Sequence, residues 1–129
     1  MKKLIAIVAT TLISVTAFAG EFPDISISEV KALTESKKAV IIDVNGSDSY
    51  KAGHVPTALD FESISGKFAK ALPKDKNTLI VAYCGGPSCK AYQAAATKAE
   101  KLGYKNVKHM SAGISGWKAA GEKLEVAGK

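Results

Sequence analysis

No arginine occurs anywhere in the chain: all 18 basic residues are lysine. Arginine's planar fork grips oxyanions through two parallel hydrogen bonds, whereas a lysine ammonium offers only a point charge. Functions that rely on a bidentate anion clamp are limited accordingly. Cysteine is scarce, with two in 129 residues, which excludes a disulfide-stapled mini-scaffold. Internal repeats, a collagen period and low-complexity tracts are lacking, which excludes solenoids and fibres. What is present is ordinary globular material, 47% hydrophobic and 23% charged with a net charge of +6. A chain of this length makes one domain.

Lys2 and Lys3 open the chain, Leu4 to Phe18 is an uncharged and mostly apolar run, and Ala17-Phe18-Ala19 has the small-x-small pattern of a signal peptidase site. Residues 1–19 are predicted to be a cleaved secretory signal, and residues 20–129 a single mature domain. The apolar run is shorter than the roughly 20 residues a spanning helix needs, so no stable membrane anchor is expected. Export to a periplasm places both cysteines in an oxidising compartment.

The mature region alternates helix and strand. Ser26-Ile27-Ser28-Glu29 is a capping box ahead of a helix over 27–37. Ala39 to Val44 and Thr78 to Tyr83 are β-branched apolar runs that read as strands buried on both faces. Residues 46–53 read as a turn, 59–61 as a short strand, 64–72 as a helix that Pro73 ends, and 105–110 as a third strand. An alanine-rich helix is predicted over 89–102, stopped by Gly103, and a short helix runs through Trp117 to Gly121. Strands joined by helical crossovers imply an α/β fold with a central parallel sheet flanked by helices on both faces. Ligands of such sheets bind at the carboxyl ends of the strands, which is where Cys84 falls.

Cys84-Gly85-Gly86-Pro87-Ser88-Cys89-Lys90 joins a buried strand to a helix. Two glycines permit a backbone in which successive N–H groups converge as an anion-binding nest. The following helix adds the positive end of its dipole. Such a site favours a cysteine as thiolate, the reactive form.

Three segments together resemble the rhodanese homology domain. They are Asp43-Val44 followed by Ser49 to Ala58 with its Gly53-His54-Val55 turn; Val81 to Cys84 with the loop and Ala94-Ala95-Ala96; and Gly103 to Val107 followed by Ala112-Gly113 and Trp117. The resemblance implies a rhodanese-like fold and a sulfurtransferase without a cofactor. Cys84 would be the nucleophile that takes sulfane sulfur from a donor such as thiosulfate as a persulfide. Gly85, Gly86, Pro87, Ser88, Cys89 and Lys90 would form the substrate-binding loop. A thiophilic acceptor, cyanide or another thiol, would then remove the sulfur. The partners implied are a small sulfur-containing anion, a thiol acceptor and a periplasmic redox protein.

The chain departs from the family's pattern at three places. Pro87 stands where glycine is common and has no N–H to offer. Cys89 and Asn45 stand where arginine is common, so recognition of a small dianion should be weaker. Cys89 opens a second chemistry as a redox partner of Cys84: the pair could cycle as an exported thiol–disulfide exchanger, or Cys89 could attack a Cys84 persulfide and release sulfide. A non-catalytic binding module is the third alternative. Phosphatase chemistry, which in this fold uses a cysteine, five residues and an arginine, is disfavoured because Lys90 occupies the last position. The Cys-x4-Cys spacing is not that of a zinc knuckle, and no metal is expected. His54, His109 and Asp43 read as structural, Tyr83 and Tyr92 as candidates for the mouth of the loop. Lys98, Lys101, Lys105 and Lys108 read as a solvated face, with no basic–aromatic stripe for nucleic acid.

Overall fold

Two β-branched apolar runs form the middle of the sheet in the computed structural model, which describes residues 22–127. They are β1 (Ala39–Asp43) and β3 (Leu79–Tyr83), paired in parallel with Ala39 opposite Leu79 and Asp43 opposite Tyr83. The short strands β2 (Leu59–Asp60) and β4 (Val107–His109) flank them, giving the all-parallel order β2-β1-β3-β4. The alternation of side chains along β1 and β3 builds two cores. Ile42, Ile80, Ala82 and Cys84 face one of them, shared with Phe68, Tyr92, Ala95, Ala96 and Ala99. Ile41, Val81 and Tyr83 face the other, shared with Val30, Ile114 and Trp117. Buried positions on both faces are what a parallel sheet covered by helices requires.

The helices are α1 (Ile27–Ser36), α2 (Ser47–Ala52), α3 (Phe61–Ile64), α4 (Phe68–Ala71), α5 (Tyr92–Lys101) and α6 (Gly113–Ala119). The N-cap half of the predicted capping box is present: the Glu29 N–H donates to Ser26 Oγ at 3.1 Å. Three elements differ from the sequence reading. Residues 46–53 hold the helix α2 and not a plain turn, because its first residue finds remote acceptors: the orphan Ser47 N–H donates to Glu62 Oε2, and the Ser47 hydroxyl donates to Asp60 Oδ2. The helix predicted over 64–72 starts earlier, at Phe61, and a 3-10 turn over Ser65–Lys67 with Gly66 at its middle splits it into α3 and α4. α5 begins at Tyr92 and not at Cys89, for a reason given below. The segment read as a secretory signal lies outside the described residues. Among the described residues no helix is long and apolar enough to cross a membrane.

A buried polar link ties β1 and β3 together just below their carboxyl ends. Tyr83 and Asp43 are both essentially inaccessible. The Tyr83 hydroxyl donates to Asp43 Oδ2 at 2.7 Å and accepts from Val55 N–H at 3.0 Å, while Asn45 N–H donates to Asp43 Oδ1 at 2.8 Å. Burial, and then the neighbouring carboxylate, hold the Tyr83 hydroxyl well above the usual phenol pKa. Tyr83→Phe leaves an Asp43 oxygen and the Val55 N–H buried without that partner. It should cost roughly 1–3 kcal/mol in a urea denaturation experiment, and an unchanged midpoint would show that the link contributes nothing.

Candidate functional site

Cys84 is the first residue after β3 and continues the face of Ile80 and Ala82, so its side chain enters the core beside α5 at 1% exposure. The backbone beyond it is pinned from one side. The Ile114 N–H donates to the Cys84 carbonyl at 2.9 Å, and the Ser115 N–H donates to the Gly85 carbonyl at 3.0 Å. Both donors are first-turn amides of α6. In a trans peptide the carbonyl and the next N–H point in opposite directions. Anchoring the Cys84 and Gly85 carbonyls on α6 therefore turns the Gly85 and Gly86 N–H groups away from it. Among the described residues, the amides of Gly85, Gly86, Ser88 and Lys90 donate to no backbone carbonyl. They are the free donors that an anion cradle needs.

Gly113, at the start of α6, is the buttress. Its φ is +62°, and a Cβ there would lie 2.6 Å from Gly85 C and Gly86 N and 2.7 Å from Cys84 O. A side chain would also intrude at Gly86, where a Cβ would meet Ser115 Oγ at 2.9 Å. Loop and helix approach this closely because neither glycine has a side chain.

Cys84 and Cys89 are joined by a disulfide with their Cα atoms 6.2 Å apart, inside the span such a bond requires. The Cys89 N–H donates to the Gly86 carbonyl at 3.1 Å, closing a turn over Pro87 and Ser88. This corrects the start of the helix. Cys89 is held back toward Cys84 and Gly86, so residues 87–91 stay outside the helix and α5 starts at Tyr92. It also thins the predicted cradle. Pro87 has no N–H, and the Cys89 amide is used in the turn. Pro87, Ser88 and Lys90 are exposed.

Asn45, at the position following Asp43-Val44, stands on the opposite wall. Its Oδ1 lies 3.8 Å from where a Cβ on Gly85 would sit, and its Nδ2 is buried without a hydrogen-bond partner. The tyrosines do not form the mouth. Tyr83 points into the other core toward Asp43, and Tyr92 is 8% exposed and stacked on the His109 ring at 3.3 Å between centroids. Burial lowers the His109 pKa against an opposing pull from Asp24. His54 donates its Nδ1–H to the Tyr50 carbonyl at 2.7 Å and stacks on the Tyr50 ring, a structural tie. Among the described residues no group of three or more His, Cys, Asp or Glu side chains could hold a metal. Lys98 donates to the Ser65 carbonyl at 2.7 Å and lies over Phe68, fastening α5 to the 3-10 turn.

The family model of the rhodanese-like domain matches residues 26–120. The chain belongs to the rhodanese-like domain family. It is similar to the thiosulfate sulfurtransferase GlpE of Pseudoalteromonas translucida, 35% identical over 81% of this chain and 97% of that protein. The protein of the same name from Pseudomonas entomophila is 33% identical over 78% of this chain and 88% of its own length. Among solved structures it is similar to a thiosulfate sulfurtransferase of Pseudomonas aeruginosa, with a TM-score of 0.68 and 25% identity over 84% of this chain and 21% of that one. The rhodanese-like fold expected from the three sequence segments is therefore the fold observed. Sequence reasoning missed Ser115 and the buttress role of Gly113. The Ala112-Gly113 pair ahead of Trp117 was the available signal.

Proposed function

We propose that the reduced protein is an exported rhodanese-type sulfurtransferase in which Cys84 takes up sulfane sulfur as a persulfide and passes it to a thiophilic acceptor. One observation carries the reading. A strand-end cysteine lies at the root of a loop whose Gly85 and Gly86 amides are turned away from α6 by two anchored carbonyls and left without backbone acceptors. Such amides, with those of Ser88 and Lys90, suit a sulfur atom bearing negative charge. The relatives named as thiosulfate sulfurtransferases support the reaction class. In the disulfide state the Cys84 sulfur is bonded to Cys89, so it cannot attack a donor until the bond is reduced. A periplasmic setting fits a protein whose loop closes in this way.

The test is thiocyanate formation from thiosulfate and cyanide by the protein with and without prior reduction. Activity should appear after reduction and be absent from the fully oxidised protein. Equal activity in both states would refute a role for the free Cys84 thiol.

The donor site lacks arginine, and the side chain standing beside Gly85 is the neutral Asn45, whose Oδ1 lies 3.8 Å from where a Cβ on Gly85 would sit. A dianion such as thiosulfate should therefore bind weakly. Asn45→Arg should lower the KM for thiosulfate on the order of tenfold, the worth of one charge-assisted hydrogen bond. Initial rates at varied thiosulfate would check this, and an unchanged KM would place donor recognition elsewhere.

The Cys84–Cys89 bond also favours a second reading, in which the pair exchanges disulfides without carrying sulfur. A reduced protein that reacts with disulfides yet forms no thiocyanate would support it over the first.

A further inference from the structure

Sulfur transfer through Cys84 leaves Cys89 without a part in the chemistry, although the structure bonds it to the nucleophile. We propose that Cys89 is a resolving thiol that attacks the Cys84 persulfide and releases sulfide, so that the protein reduces sulfane sulfur at the expense of a dithiol. The proposal rests on the sulfur-transfer reading above.

Three observations support it. The two Cα atoms are 6.2 Å apart, so the sulfurs reach bonding distance within the observed loop. The Cys89 N–H to Gly86 carbonyl bond holds Cys89 in that position by backbone contacts that do not depend on the sulfurs. Cys84 is 1% exposed, which hinders an outside thiol approaching its inner sulfur, whereas Cys89 is already on it. An attacking group held this close has an effective concentration far above that of a free thiol.

The step balances as follows. In the first half-reaction Cys84 takes the outer sulfur of thiosulfate, and sulfite leaves. Cys89 Sγ then bonds to Cys84 Sγ as the bond from Cys84 Sγ to the outer sulfur breaks. That bonding pair leaves with the outer sulfur, which takes up the Cys89 thiol proton and departs as HS⁻. The sulfane sulfur is reduced by two electrons, and the two cysteines are together oxidised to the disulfide. The free amides of Gly85, Gly86 and Ser88 stabilise the negative charge growing on the leaving sulfur. A small or protein dithiol then reopens the disulfide, itself becoming a disulfide. A reaction that supplies reduced dithiols must therefore operate beside this protein.

The test is a single turnover. The protein is reduced, freed of reductant and mixed with one equivalent of thiosulfate and no acceptor. Sulfide is followed with a selective electrode and the protein by intact mass. The wild type should release about one equivalent of sulfide and end two hydrogens lighter than its reduced form, with no sulfur retained. Cys89→Ser should retain one added sulfur and release sulfide only when dithiothreitol is added. A wild type that retains the sulfur as stably as Cys89→Ser overturns the proposal while leaving sulfur transfer intact. Sulfur uptake by neither protein overturns both. If Cys89→Ser does not fold, Cys89→Ala replaces it, and sulfide release by the wild type decides the question by itself.

Discussion

Cys84→Ser should abolish thiocyanate formation, with a loss on the order of 10³-fold or more against the reduced wild type. A serine oxygen forms no sulfur–sulfur bond, so the variant has nowhere to hold the transferred atom. The change is small in volume and sits where Cys84 is already packed among Ile42, Ala82 and Tyr92, so the core should survive it. Loss of the Cys84–Cys89 bond removes a short-loop crosslink that stabilises by about 2 kcal/mol in the chain-entropy picture. Comparison with the reduced wild type, which also lacks that bond, cancels this contribution. A variant retaining a tenth of the activity would show that sulfur passes elsewhere.

Gly113→Ala should give the largest structural effect of any methyl added near the site. The left-handed φ of +62° strains any side chain, by about 1–2 kcal/mol. The new Cβ would also stand 2.6 Å from two backbone atoms of the loop and 2.7 Å from a third. Backbone cannot rotate aside as a flexible side chain can, so overpacking adds about 1–3 kcal/mol. A drop in Tm of roughly 10 °C or more is expected for a domain of this size. Sulfur transfer should fall as well, because relief of the clash pushes Gly85 and Gly86 away from their anchored positions. Gly103→Ala is the control. Its φ is +99°, but a Cβ there meets nothing within 4 Å, so it carries backbone strain alone and should leave sulfur transfer at the wild-type level. Equal losses at both positions would mean that close packing at Gly113 does not shape the loop.

The sheet was legible in the sequence because β1 and β3 are uninterrupted apolar runs, whose burial on both faces leaves little choice of structure. Cys84 was legible for a related reason: a cysteine between such a run and a pair of glycines stands at a strand end. Helix α2 was not legible, because its sequence is polar and its stabilising acceptors, Glu62 and Asp60, lie 13 to 15 residues away. The start of α5 was misplaced because alanine-rich sequence favours helix locally, while the Cys84–Cys89 bond and the Gly86 carbonyl hold Cys89 in a turn. Ser115 escaped notice because its contribution is a backbone N–H and the space beside Gly86, neither of which residue type reveals. Nearness in sequence makes Tyr83 and Tyr92 alike candidates for the mouth, yet strand alternation sends Tyr83 to the face opposite Cys84, and Tyr92 is buried against His109.

The most direct test of the account is to locate the transferred sulfur. Reduced wild-type protein is mixed with thiosulfate, quenched within the first turnover by an alkylating agent, digested, and the peptide bearing Cys84 is weighed. One extra sulfur on Cys84, lost when cyanide precedes the quench and recovered as thiocyanate, is the predicted result. A Cys84 that alkylates readily but carries no sulfur at any time would contradict the persulfide, leaving disulfide exchange as the chemistry of the loop.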